Sequence, residues 1–340
     1  MTTARWRRFL RPLVPVYAGI IRLKEWLLER GWLQQSRLGH PVISIGSLSA
    51  GGAGKTPVVI MLAELLSHRG FEVRILTRGY GRAGRTVERV GADEDAKHLG
   101  DEPVMMARRL RLVAKASVWV GADRYRAGRL SEKNDSPKHN VVYLLDDGFQ
   151  HRKLIRDVDV VLLTRQDLGD SLLPLGNLRE PLHAMQRAGV VVLREDEGFA
   201  GDISGKAATW FVQRGLRFAE KVEKNKRIIA FCGLARPESF FGMLEKAGVE
   251  VVAVSVFRDH HPYSSADIER LIELAKLHGG NGFVTTEKDA VKLSKEMRER
   301  LQSVGALIVP ELIVDLGDAE AKLDGLLRLI AAKVPASDAR

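Results

Sequence analysis

Between about residues 41 and 195 the chain alternates short apolar runs with longer amphipathic stretches. "PVISIG", "FEVRILT", "SVWVGA", "NVVYLLDD", "DVDVVLLT" and "GVVVLRE" are nearly continuous in Val, Ile and Leu, the pattern of strands covered on both faces. Helical periodicity fills the intervals, and a helix is predicted over about 57–69. This alternation predicts an α/β fold with a parallel sheet covered by helices, whose ligands bind beyond the carboxyl ends of the strands. Segments 47–56, 77–82, 121–124 and 146–151 should therefore gather along one edge.

From about 195 to 226 the long apolar runs thin out, leaving a possible strand pair around "TWFVQRGLRF" and the basic run "KVEKNKR". The stretch 206–226 reads as a linker. Alternation resumes with "RIIAFCG", "VEVVAVSVF", "GFVTTE" and "ALIVPELIV", so a second, smaller α/β domain is expected over 227–335, after a first over 36–205. The length of 340 residues suits about two domains, and a cleft between domains favours a ligand.

The segment 1–35 has its own pattern. Trp6, Phe9, Leu10, Leu13, Tyr17, Ile20, Ile21, Leu27 and Leu28 recur at helical spacing behind Arg5, Arg7, Arg8 and Arg11. Its apolar stretch is far shorter than the roughly 20 residues that span a bilayer, and Pro12 and Pro15 interrupt it. No small-x-small cleavage site follows, which argues against a signal peptide. Periodicity fits two readings equally: a basic amphipathic helix lying in a membrane interface, or a first helix packed on the protein's own core. The net charge of +10 favours an anionic partner without choosing one. A single cysteine, Cys232, excludes an internal disulfide framework, and its apolar surroundings read as core.

Chemistry concentrates at the ends of the apolar runs. "GSLSAGGAGKTP" follows a strand and precedes a helix, the setting of a phosphate-binding loop. Ser49, Ala50, Gly51, Gly52, Ala53 and Gly54 would cradle phosphates with their backbone. Lys55 would pair with the β- and γ-phosphates, and Thr56 would hold magnesium. Ser49 stands where the usual pattern has glycine. "VVYLLDDGFQHR" ends a buried strand in Asp146 and Asp147, as a metal-holding Walker B segment does, although Asp-Gly is also a turn signal. Taken alone, Asp123, Arg179, Glu180 and Tyr80 each fit a structural role as well as a catalytic or ligand-binding one.

"GSLSAGGAGKTP", "TRGYGR", "GDEP", "DRYRAG", "DDGFQHRKL", "LPLGNLREP", "FRDHHPY" and "TTEKDA", in this order, resemble the tetraacyldisaccharide 4'-kinase (lipid A 4'-kinase) family of Gram-negative bacteria. The family has Ser or Thr at the position of Ser49; it commonly has Asn where this chain has Ser47. The resemblance implies a P-loop NTPase-like domain and a smaller α/β domain joined by a β-strand linker, with ATP bound between them. It implies transfer of the ATP γ-phosphate, with Mg2+, to the 4'-hydroxyl of a tetraacylated disaccharide 1-phosphate at the cytoplasmic face of the inner membrane. It also implies Asp123 as catalytic base, assisted by His260 from the second domain, with His261 a bystander. Arg179 and Glu180 would serve the transferring phosphate or the metal; Asp259 fits a supporting hydrogen bond or a solvated loop, and Lys288 fits an approach to the nucleotide or a helix start capped by Thr286. Such an enzyme needs an anionic membrane surface, and nothing in the sequence calls for an obligate protein partner.

Two rival readings are weaker. Membrane-associated ATPases with a deviant loop carry lysine directly before the glycine pair, where this chain has Ala50. A nucleic-acid binder should show a recognisable module and a basic stripe, and the basic residues here are scattered apart from the N-terminus and "KVEKNKR".

Overall fold

The computed structural model describes residues 7–80, 82, 84, 86–133, 140–199, 205–220 and 226–333. Arg5 and Trp6 of the N-terminal pattern, Gly81 of "TRGYGR" and most of "KVEKNKR" lie outside the described residues. The strands in chain order are β1 (Val42–Ser47), β2 (Glu72–Thr77), β3 (Glu88–Val90), β4 (Ala116–Val120), β5 (Val141–Asp146), β6 (Val158–Leu163), β7 (Val190–Arg194) and β8 (Ala208–Arg217). After them come β9 (Ile228–Cys232), β10 (Val251–Val256), β11 (Gly282–Val284), β12 (Ala306–Ile308) and β13 (Glu311–Asp315). Nine form one sheet in the order β13-β8-β7-β6-β1-β5-β2-β4-β3, and four form a second in the order β10-β9-β11-β12.

In the larger sheet β8 through β4 run parallel, and β3 and β13 close the two edges in the antiparallel sense. β1, β5 and β6 are buried along their whole length, as their unbroken apolar sequences require. The helix Lys55–His68 packs one face of the sheet around Val59, Leu62 and Leu66. On the other face the helix Arg124–Lys133 and the loops after β5 and β6 cover Tyr143, Leu145 and Phe149. Because β1, β5, β2 and β4 are parallel neighbours in this order, their carboxyl ends meet at one edge.

The linker segment differs from the sequence reading. "TWFVQRGLRF" is not a strand pair: all but its last residue, Phe218, lies within one ten-residue strand, β8, that extends the larger sheet beside β7. Its second partner is β13, from about a hundred residues later in the chain. Trp210 and Val212 alternate into the core, which favours one continuous strand over a turn at Gln213–Gly215. The chain's last described helix, Ala319–Ala331, also returns to the first core through Leu323, Leu326 and Ile330. The smaller sheet is therefore an excursion between β8 and β13, wholly parallel, with its own core around Phe231, Ile268, Leu271 and Phe283.

Candidate active site

The glycine loop leaves β1 and turns through Gly51, Gly52 and Gly54, all in the left-handed region at φ 76°, 64° and 83°. Three such residues in four positions need glycine, and they deliver the chain to a helix starting at Lys55. Ser49 is buried against the "GNLRE" segment: it forms an antiparallel bridge with Leu178, and the Ala50 amide donates to the Asn177 carbonyl at 2.8 Å. No left-handed turn falls at this position, which explains why glycine is dispensable there. Ser47 Oγ donates to the Ser49 carbonyl (2.8 Å) and accepts from Lys55 Nζ (3.2 Å), so the hydroxyl in place of the family's usual Asn ties strand end, loop and lysine together.

Asp146 and Asp147 stand beside this loop in opposite environments. Asp146 is buried and accepts from Thr77 Oγ1 at 2.9 Å. Burial, reinforced by the nearby charges of Glu102 and Asp147, pushes its carboxyl up to about 7. Asp147 is gripped by both terminal nitrogens of Arg179 (2.8 and 2.7 Å) and lies 3.4 Å from Lys55 Nζ. Partial burial acts to raise its pKa, but the Arg179 hydrogen bonds and the Lys55 charge outweigh it and hold the carboxyl far below the usual range. Asp147 also has a left-handed backbone at φ 50°, a strained conformation for a non-glycine residue that functional sites often keep.

A cavity of about 610 Å³ joins these residues to the second sheet. Its walls include 50–57, Asp146, Asp147, Arg179 and Tyr80 from the larger unit, and Asp259, His260 and Lys288 from the smaller one. His260 follows β10 with φ 59°, and its Nδ1 lies 3.2 Å from Asp101 Oδ2. Its Nε2 faces Lys288 Nζ at 3.2 Å, and Lys288 also bonds Asp259 Oδ1 at 2.8 Å. An ammonium can only donate, so a neutral imidazole here accepts at Nε2 and carries its proton at Nδ1, toward the Asp101 carboxylate. Tyr80, 71% exposed, places its ring 5.6 Å from that of His260. His261 points elsewhere: it stacks on Phe257 and bonds Asp267 at 3.1 Å, inside the second core.

Two expectations need correction. Asp123 is not the carboxylate paired with His260 and does not line the cavity. Its Oδ1 accepts from the Arg126 amide at 3.1 Å, capping the helix Arg124–Lys133, and its side chain is 53% exposed. Asp101, in the first turn of the helix Asp101–Arg109, takes that place. The "GDEP" motif was the available signal, but "DE" at a helix start is also what the helix dipole favours. Glu180 likewise does not reach Asp146. It is buried on Arg187 next to the N-terminal helix, where burial raises its pKa. Of the residues expected to hold a metal, Thr56, Asp146 and Asp147 line the cavity, with Thr77 and Glu102 also in its wall. Among the described residues no three His, Cys, Asp or Glu side chains converge as a metal cage. Two carboxylates and a hydroxyl suit a hard cation that keeps some waters and takes phosphate oxygens, and a cation would relieve the cost of ionising buried Asp146.

The helix Leu13–Glu29 spans the loops on the Glu180 side. Tyr17 Oη donates to the Arg179 carbonyl (3.0 Å), Lys24 Nζ to the Gln150 carbonyl (3.1 Å), and Glu25 approaches Arg152 and Arg187. Its docked face mixes these polar groups with Val14, Ala18, Ile21 and buried Leu28. Leu13, Val16, Ile20 and Leu23 point outward, continued by Phe9, which is 86% exposed. No helix among the described residues is long and apolar enough to cross a membrane.

Comparison with known proteins fixes the family. A profile of the tetraacyldisaccharide-1-P 4'-kinase family matches residues 6–329. The chain belongs to this family. The tetraacyldisaccharide 4'-kinase of Koribacter versatilis is 39% identical over 324 residues, covering 94% of this chain and 98% of that protein. The Aquifex aeolicus tetraacyldisaccharide 4'-kinase is 38% identical over 300 residues, covering 84% of this chain and 90% of that one. A crystal structure from Aquifex aeolicus, described as an "apo" form in complex with ATP, superposes with a TM-score of 0.76 at 34% identity, over 96% of this chain and 99% of that one. For a tetraacyldisaccharide 4'-kinase, this chain lines one cavity with the glycine loop, Asp146, Asp147 and His260, and Asp101 meets that histidine.

Proposed function

We propose that this chain transfers the γ-phosphate of ATP to the 4'-hydroxyl of a tetraacylated disaccharide 1-phosphate, at the cytoplasmic face of the inner membrane. The observation that carries this reading is that His260, which contacts Asp101, lines a cavity shared with the glycine loop. Backbone amides of 50–54, the start of the helix Lys55–His68 and the Lys55 ammonium hold the polyphosphate, where a helix amino end favours anions. Thr56, Asp146 and Asp147 would hold Mg2+, which supplies charge neutralisation on the transferring phosphate. Arg179 fixes Asp147 in an ionised state by its bidentate grip.

A sugar hydroxyl becomes a competent nucleophile only as its proton leaves. Asp101 accepts that proton, the new P–O bond forms as the bond to the β-phosphate breaks, and ADP departs. His260 orients Asp101 through Nδ1–H and is itself held by Lys288. The lipid acceptor explains the N-terminal helix: with its other face occupied by the protein, the outward stripe of Phe9, Leu13, Val16, Ile20 and Leu23 is available to enter a bilayer interface. Excess positive charge suits both anionic lipids and the substrate's 1-phosphate.

The test is ATP turnover with and without a tetraacyldisaccharide 1-phosphate acceptor in mixed micelles. Turnover that requires the acceptor and yields its 4'-phosphate supports the assignment. Equal ATP hydrolysis in its absence would identify an ATPase instead.

A further inference from the structure

The glycine loop is faced from outside by two guanidinium groups that the mechanism above does not use. Arg236 is the last residue before the helix Pro237–Lys246 of the smaller unit, and it lies against Gly52: a Cβ there would sit 3.1 Å from Arg236 Nε and 3.6 Å from Cζ. Arg214, on β8, lies over Gly54, whose added Cβ would be 3.8 Å from its Nη1. Both line the cavity. Arg214 donates to Ser239 Oγ at 2.8 Å but makes no ion pair, and its Nε is buried without a partner. Arg236 has no hydrogen bond or ion pair to any described residue. By contrast Arg194, another arginine of the cavity wall, is neutralised by Asp196 and Glu197.

Among the described residues neither guanidinium has a carboxylate at ion-pair distance, and two such cations near one another are unfavourable unless an anion joins them. Here they face the loop whose backbone is shaped for a polyphosphate. The loop itself lacks a second cation, because Ala50 stands where deviant loops carry lysine. We propose that Arg236, with Arg214 beside it, is a phosphate-binding residue that closes on the polyphosphate of the nucleotide opposite Lys55. Since Arg236 is carried by the smaller unit, the nucleotide's phosphates become a bridge between the two sheets. A guanidinium suits the task because its planar fork meets phosphate oxygens two at a time, which a lysine does not reproduce.

This inference rests on the cavity being an ATP site, and the experiment separates the two. ATP affinity is titrated directly in the wild-type enzyme, and inorganic tripolyphosphate is used as a competitor that carries the phosphates without base or sugar. Wild-type protein that binds neither ligand would refute the ATP site itself. If it binds both, Arg236→Ala should weaken ATP and tripolyphosphate by the same factor, about ten- to a hundredfold, with an unchanged melting temperature, and Arg236→Lys should recover only part of the loss. Unchanged affinities in Arg236→Ala, or weakened ATP with undiminished tripolyphosphate competition, would overturn the assignment and leave the ATP site standing.

Discussion

His260 Nδ1 lies 3.2 Å from Asp101 Oδ2 although 159 residues separate them, one side chain coming from each sheet's unit. The contact depends on a left-handed backbone at His260, which costs on the order of 1–3 kcal/mol for a non-glycine residue. Lys288, bonded at once to His260 and Asp259, helps hold the residue in that conformation. Because imidazole and carboxylate act as a unit, His260→Ala should lower turnover by about 10²–10⁴, and the double variant with Asp101→Asn should lose little more than the worse single one. Steady-state kinetics of the three variants checks this. Losses that multiply would show that the two side chains act separately.

Asp146 gives the fold a defined pH dependence. Its folded pKa, pushed up to about 7, lies above the ordinary carboxylate value near 3.9, so the folded chain keeps a proton that the unfolded chain releases. Stability should therefore fall as pH rises from about 4 to about 7, with the whole penalty present above that. Asp146→Asn removes the penalty, so its melting temperature should gain on the parent's at pH 8 relative to pH 5. Thermal melts without nucleotide or metal read this, and an identical pH profile in the variant would contradict it.

The outward stripe of the N-terminal helix is expected to carry membrane attachment. Fully withdrawing an Ile or Leu side chain from water is worth roughly 1.5–3 kcal/mol, so Ile20→Glu with Leu23→Glu should cut partitioning onto anionic vesicles by at least about tenfold. Both residues lie away from the cavity, and ATP affinity should not move. Vesicle sedimentation measures it; undiminished pelleting would place the attachment elsewhere.

Glu180 and Arg187 form a largely buried ion pair beneath that helix. Removing one partner strands the other, so Arg187→Leu should destabilise the fold by about 3–5 kcal/mol, toward the lower end because the Arg187 side chain is 22% exposed. Chemical denaturation reads the difference. A loss below about 1 kcal/mol would mean Glu180 is held by other contacts.

The sheet centre was legible in the sequence because β1, β5 and β6 are covered on both faces and leave unbroken apolar runs. The loop and Asp146–Asp147 were legible for a related reason: in a parallel sheet, polar residues that end such runs arrive at one edge. What failed was whatever depended on distant partners. β8 looked like a hairpin because its outer neighbour, β13, comes from far down the chain, and its outward residues alternate polar and apolar. Asp123, to which the family resemblance pointed, sits at a strand end and Asp101 on a helix; in the fold Arg126 satisfies the first and His260 the second. Glu180 follows Arg179 directly in sequence, yet the backbone turns one toward Asp147 and the other toward Arg187.

The most direct test compares Asp101→Asn with Asp123→Asn at saturating ATP and lipid acceptor. Asp101→Asn should lose about 10²–10⁴ in turnover with nucleotide affinity retained, while Asp123→Asn, which keeps a helix cap, should stay within a few fold of the parent. Near-normal turnover in Asp101→Asn, or a comparable collapse in Asp123→Asn, would contradict the placement of the catalytic base.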